Sequence, residues 1–262
     1  MTVLWAQNVG VNAGSKPLIG DISLILAPGE VVAVIGPNGA GKSTFLGALS
    51  GDRTLAAGHV LLDGQPLGKW NKAALARRRA VLPQQSNVAF DFTALQIAML
   101  GLMAYRNEMR EHEMRALAER ALAETEAIGL SDRPYTVLSG GERQRVQLAR
   151  VLAQCDASPG GKPFLLLDEP ISGLDLSHQH AALTSARRRA NRGMGVLAVL
   201  HDLSMASHYA DRVAILENGR LTALGPTEEV LDPDRLSRVF STPIVRLEAN
   251  GTRAFVSPGE RP

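Results

Sequence analysis

Cysteine, long apolar runs and an excess of one charge are all missing from this chain, and each absence removes a class of protein. A single cysteine, Cys155, among 262 residues forbids an internal disulfide, which suits a reducing compartment. No stretch reaches the roughly 18 consecutive apolar residues of a membrane helix. The nearest, Ala94 to Ala104, is short, carries Gln96 and reads as a buried helix. The start of the chain shows no basic region followed by an apolar run, so no secretory signal is expected. A net charge of +2 and a pI near 8.9 are too mild to argue for nucleic acid. The only dense basic clusters, Arg77-Arg78-Arg79 and Arg187-Arg188-Arg189, read as solvated helix faces. With 45% hydrophobic and 21% charged residues, the expectation is a soluble globular protein in the cytoplasm that needs a partner to act on a membrane.

What is present alternates between short apolar runs and helical patterns, the signature of α/β layering. Val31 to Ile35, Phe164 to Leu167 and Val196 to Leu200 are apolar on both faces and suit the centre of a parallel sheet covered by helices. Asn218-Gly219 joins two strand-like segments, Arg212 to Glu217 and Arg220 to Gly225. Asn250-Gly251 does the same for Ile244 to Ala249 and Thr252 to Ser257. Asn-Gly favours two-residue hairpin turns, whose central positions need positive φ. An antiparallel portion should therefore accompany the parallel core. From Ser86 to Ala153 no strand-like run occurs, while Met114, Leu117, Ala121, Leu122 and Ile128 recur at helical spacing. The predicted organisation is an α/β core over 1–85 and 154–262, with a helical subdomain at 86–153 inserted into it. The loop around Gly160-Gly161 should be exposed.

Gly36-Pro37-Asn38-Gly39-Ala40-Gly41-Lys42-Ser43 fits the pattern G-x-x-x-x-G-K-[ST], between a strand ending at Ile35 and a helical run from Lys42 to Ser50 that Gly51 stops. The glycines let backbone N–H groups curl around a phosphate, and the helix N-terminus adds partial positive charge. Lys42 should reach the β- and γ-phosphates and the Ser43 hydroxyl should ligate Mg²⁺. Asp168 and Glu169 end the apolar strand Phe164 to Leu167, at the sheet edge where ligands bind. Asp168 is the candidate Mg²⁺ holder and Glu169 the candidate general base. His201 ends another apolar strand in the same way and is a candidate γ-phosphate contact. His178 and His180 lie two apart, share no helix face and read as solvated surface. Ser139, with Glu142 three residues on, makes a capping box at the start of a helix running to about Ala153. The glycines Gly140 and Gly141 at that end offer backbone donors to a second anion.

These motifs resemble the ABC ATPase family. The likeness spans nearly the whole chain: the phosphate loop Gly36 to Thr44, Gln84 after a strand, Leu138-Ser-Gly-Gly-Glu-Arg-Gln-Arg145, Leu165 to Glu169, Ser172-Gly173-Leu174-Asp175 and His201 follow the family's order. It implies a single P-loop ATPase cassette over 1–262 acting as a head-to-tail homodimer. Each ATP then lies between the phosphate loop of one subunit and Ser139, Gly140, Gly141 and Glu142 of the other. It further implies that Gln84, or Gln85 directly after it, contacts Mg²⁺ or the attacking water, and that Asp175 reports one site to the other at the dimer centre. The implied partners are a pair of polytopic membrane permeases and, indirectly, a periplasmic or extracellular substrate-binding protein. The implied location is the cytoplasmic face of the inner membrane. Within the family the chain is similar to subunits of importers for iron chelates, vitamin B12 and haem, on Arg77 to Phe92, Leu174 to His180 and the Gly/Pro-containing insertion before Phe164. Two departures stand out. Ala13 occupies the place where the family often stacks an aromatic ring on adenine, leaving base recognition unassigned. Ile171 replaces a usual threonine. One cassette and the short interval between Thr44 and Leu138 argue against the ribosome-acting and DNA-repair members. The segment Ser86 to Phe92, with Phe90 and Phe92, is expected either to dock a permease helix or to anchor the subdomain core.

Overall fold

The computed structural model describes residues 2–84, 91–158, 164–249 and 251–258. In chain order the first half comprises β1 (Leu4–Ala13), β2 (Lys16–Leu26), β3 (Val31–Ile35), α1 (Lys42–Ser50), β4 (Ala57–Leu62), β5 (Gln65–Pro66), α2 (Lys72–Arg78) and β6 (Arg79–Leu82). Helices α3 (Ala94–Leu100), α4 (Glu111–Glu124) and α5 (Gly140–Asp156) follow. The remainder is β7 (Phe164–Asp168), α6 (Leu176–Asn191), β8 (Gly195–Val199), α7 (Leu203–Tyr209), β9 (Arg212–Glu217), β10 (Arg220–Pro226), α8 (Thr227–Val230), α9 (Pro233–Phe240), β11 (Val245–Ala249) and β12 (Thr252–Val256).

The main sheet has the order β10-β9-β3-β8-β7-β6. The four pairings that join β9, β3, β8, β7 and β6 are all parallel, and β10 closes the edge antiparallel to β9. Strands β3, β7 and β8 are buried at every position, which is why their sequences run apolar without alternation. The β9–β10 hairpin turns at Asn218 and Gly219, with φ of 50° and 76°. The β11–β12 hairpin forms as the second Asn-Gly pair suggested, although Asn250 itself lies outside the described residues.

A second sheet, β2-β1-β4-β5, is antiparallel and had no clear signal in the sequence. Register shifts between Ala6 and Val9, Val9 and Val11, and Val11 and Asn12 interrupt the β1–β2 ladder. Each shift flips the side-chain alternation, so the two-residue period that marks a half-buried strand is broken. This sheet packs on the main one through Leu4, Ile22, Leu24, Phe45, Leu62 and Leu166, all fully buried.

Among the described residues no strand falls between Leu82 and Phe164. Helices α3, α4 and α5 pack together there over Ile97, Leu122, Val146 and Leu152. Phe92 packs partly buried against this cluster, on the side of the core-anchor reading; Phe90 lies outside the described residues. No described helix is long and apolar enough to cross a membrane.

The arginine runs are not solvated faces. Of the six, only Arg188 is exposed. Arg77 donates to the Ala104 carbonyl and pairs with Glu108, Arg78 pairs with Asp63, and Arg187 pairs with Asp211. Arg189 is 2% exposed and holds Glu124 at 2.9 Å and Asp156 at 2.6 Å. Burial opposes its charge, but the bonds to the two carboxylates outweigh that and raise its pKa above the ordinary value.

Candidate active site

Four parallel strands, β3, β8, β7 and β6, stand side by side, and their carboxyl ends carry the phosphate loop, His201, Asp168-Glu169 and Gln84 respectively. Adjacent strand ends at the edge of a parallel sheet form a crevice suited to a ligand. Here the crevice is a cavity of about 730 Å³ whose walls include Lys42, Ser43, Thr44, Gln84, Glu169 and His201. Gln85 lies outside the described residues, so Gln84 is the member of that pair seen at the cavity.

The phosphate loop is shaped by its glycines. Gly36 has a φ of 147°, and a Cβ there would fall 2.0 Å from the Leu216 carbonyl oxygen. Gly41 caps α1 in the left-handed region at φ 98°, a conformation costly for other residues. The first turn of α1 has no side-chain cap and no acidic residue. Its N–H donors are therefore left for an anion. The Lys42 ammonium donates to the carbonyls of Gly36 at 2.8 Å and Pro37 at 2.9 Å. Burial lowers its pKa, opposed by the charges of Glu169 and Asp168.

Ser43 Oγ donates to Asp168 Oδ1 at 3.0 Å. Burial raises the Asp168 pKa, and the bond from Ser43 works the other way. Two hard oxygen donors in contact fit one edge of a Mg²⁺ shell, which ordinarily uses one or two protein oxygens plus phosphates and water. Among the described residues no group of three or more His, Cys, Asp or Glu could hold a metal ion. Glu169 Oε1 lies 2.6 Å from His201 Nε2. The Glu169 backbone has φ 51°, a left-handed conformation that costs a non-glycine residue about 1–3 kcal/mol.

The second anion-binding end is separate. None of Ser139, Gly140, Gly141 or Glu142 lines the cavity. Ser139 Oγ accepts from the Glu142 N–H at 3.3 Å, and Glu142 Oε2 accepts from the Ser139 N–H at 2.8 Å. Glu142 also pairs with Arg133 at 3.0 Å. The side chains of the capping box thus have partners within the chain, while Gly140 and Gly141 bring only backbone. Asp175 caps α6, accepting from the His178 N–H at 3.0 Å and from Ser177 Oγ at 2.9 Å. These bonds lower its pKa. His178 departs from the solvated-surface expectation: it is half-buried, with Nδ1 2.7 Å from Asp175 and Nε2 3.2 Å from Arg145. His180 is exposed, as expected.

The sequence profile of the ABC transporter family matches residues 19–172. The chain belongs to this family. The hemin import ATP-binding protein HmuV of Pseudomonas fluorescens is 47% identical over 244 residues, covering 93% of this chain and 94% of that protein. HmuV of Rhodococcus jostii is 44% identical over 245 residues, covering 94% and 82%. Among solved structures, a dimeric bacterial ABC transporter cassette superposes with a TM-score of 0.76 at 26% identity, over 86% of this chain and 98% of that one. A structure assigned to the metal-chelate type of ABC transporter, in an inward-facing conformation, gives 0.80 at 25% identity over 99% of both chains. The chain is thus an ATP-hydrolysing subunit of an ABC importer, with the family's α/β ATPase core and helical insert.

Sequence reasoning missed two residues at the ABC site. Leu18, on β2, lines the cavity where Ala13 does not; its sheet had no clear pattern. Gln144, on α5, donates to the backbone carbonyls of Glu169 and Pro170. An amide that bonds backbone leaves no complementary residue type in the sequence to reveal it.

Proposed function

We propose that this subunit powers haem import by hydrolysing ATP in a head-to-tail homodimer beneath a membrane permease pair. The observation that carries the chemistry is the convergence of Lys42, Ser43, Gln84, Glu169 and His201 on one cavity, with Asp168 bonded to Ser43 behind it. In this reading residues 36–44 wrap the phosphates with backbone donors and Lys42. Ser43, Asp168 and Gln84 would hold Mg²⁺, which would supply positive charge against the phosphates. Glu169 accepts a proton from a water whose oxygen attacks the γ-phosphorus, while the bond to the departing ADP oxygen breaks. His201, bonded to Glu169 at 2.6 Å, orients that carboxylate and faces the γ-phosphate. Leu18 gives the base an apolar wall in place of a stacking ring. Ser139, Gly140, Gly141 and Glu142 complete the partner's site, and Asp175 lies at the dimer centre. Residues 86–153 act as the moving helical subdomain of a cassette spanning 1–262. The subunit sits at the cytoplasmic face of the inner membrane, with a substrate-binding protein on the far side.

The cargo reading rests on the hemin-import names of relatives 44–47% identical to this chain. An iron-chelate importer is the alternative, favoured by the metal-chelate structural neighbour. Uptake of haem, ferric siderophore or cobalamin by vesicles holding the subunit and its permease separates these readings. For the chemistry, Glu169→Gln should slow hydrolysis by roughly 10²–10⁴, the usual worth of a positioned base, and should leave an ATP-dependent dimer on a sizing column. Near-normal turnover, or a monomer, would refute the role.

A further inference from the structure

The catalytic loop is tied to the helix that bears the second anion-binding end. Glu169 holds a strained left-handed backbone at φ 51°, and such a conformation persists only where its surroundings over-determine it. The Ser172 N–H donates to the Glu169 carbonyl within the turn at 3.2 Å, and a side chain from α5 adds to that hold. Gln144 Nε2 donates to the Glu169 carbonyl at 3.2 Å and to the Pro170 carbonyl at 3.1 Å. Gln144 lies one helical turn beyond Gly140 and Gly141 and is half-buried. A second tie runs in parallel, since Arg145 meets His178, which holds Asp175. The first two turns of α5 therefore grip both ends of the connection between β7 and α6.

We propose that Gln144 is a positioning residue: it fixes the Glu169 backbone so that the state of α5's N-terminus is imposed on the base of its own chain. Resting on the dimer reading above, this gives each subunit a direct path from the partner's nucleotide, held at Ser139 to Gly141, to its own Glu169. A helix turn is stiff, so a small displacement at Gly140 moves the Gln144 amide with it. Without the amide, the two carbonyls lose their shared donor and Glu169 can relax towards an unstrained backbone, withdrawing its carboxylate from where the water must sit. Misplacing a catalytic group by about 1 Å can cost about 100-fold in rate.

The test uses Gln144→Met, similar in length and shape but without a donor. The expected result is a kcat reduced by about 10- to 100-fold, with the KM for ATP within about twofold and an unchanged melting temperature. In the Glu169→Gln background, Gln144→Met should still give the ATP-dependent dimer, because the Ser139 end of α5 is intact. An unaltered kcat overturns the proposal. So does loss of the dimer or a melting temperature lowered by several degrees, since Gln144 would then merely support the helix. Failure of the general-base reading is recognised separately, by Glu169→Gln alone retaining turnover.

Discussion

The Lys42 ammonium is bonded to two carbonyls of its own loop and is buried enough for its pKa to fall. Both facts favour exchange of those neutral acceptors for phosphate oxygens, which give shorter and stronger charge-assisted bonds. Lys42→Ala should therefore weaken ATP binding at least about tenfold, from the roughly 1.5–3 kcal/mol of a charged hydrogen bond. Titration of the purified subunit with nucleotide measures it, and an unchanged affinity would mean that the backbone donors of α1 suffice. Asp168, Glu169 and His201 are marked in the sequence by where an apolar strand stops, and Lys42 by the phosphate-loop pattern that follows one. Gln144 and His178 are not. Gln144 bonds carbonyls 25 and 26 positions away, and His178 looks like any surface histidine until α5 is packed beside it. Ile171 in place of the family's threonine is buried in the core, and nothing in the structure assigns it a further role.

At the scale of elements, the same contrast separates the strands. Those of the main sheet announce themselves as unbroken apolar runs, and the Asn218-Gly219 hairpin announces itself by its turn. The β1–β2 ladder does not, because its register shifts scramble the alternation. Helix packing was legible only as apolar stripes. The polar joint made by Arg189 is invisible in sequence because its partners lie on two other helices, α4 and α5, one of them 65 positions away. That joint ties α6 of the core to the C-terminus of α4. The Glu124 pKa is lowered although burial pushes it upward, because the bonds from Arg189 prevail. Removing one partner of a buried pair usually costs about 3–5 kcal/mol. Both carboxylates here keep some access to water, so Arg189→Ala should cost about 2–4 kcal/mol. Calorimetry should show a melting temperature lower by about 5–15 °C for a chain of this size. A fall of less than a degree or two would mean the triad contributes little beyond matching its own desolvation.

For the whole molecule, the question is where a membrane partner takes hold. A second cavity, of about 740 Å³, opens where α2, β6 and α5 meet, lined by Trp70, Lys72, Arg79, Pro83, Arg150 and Gln154 among others. Its chemistry is unfinished. Trp70 Nε1 and Arg79 Nε are buried with no hydrogen-bond partner among the described residues, a costly arrangement unless an acceptor arrives. The three cationic side chains on its wall suit the carbonyl end of a helix or a carboxylate. Pro83 adjoins Gln84, which lines the nucleotide cavity, and Arg150 and Gln154 belong to the helix that begins at Ser139. A permease helix seated here would thus feel both the strand end beside the nucleotide and the motion of α5. The sequence suggested the segment 86–92 as the dock; this groove moves the prediction onto described residues. Trp70→Ala should lower transport, and the stimulation of hydrolysis by the permease, by about tenfold or more, as for a central aromatic anchor. Basal hydrolysis by the isolated subunit should stay within about twofold, because Trp70 does not line the nucleotide cavity. Trp70→Phe keeps most of the apolar surface but loses the N–H, so it should fall between the two if the donor finds an acceptor on the partner. Undiminished transport in reconstituted vesicles would remove the groove as the dock. Basal and stimulated hydrolysis falling together would show that Trp70 supports the fold of the subunit instead.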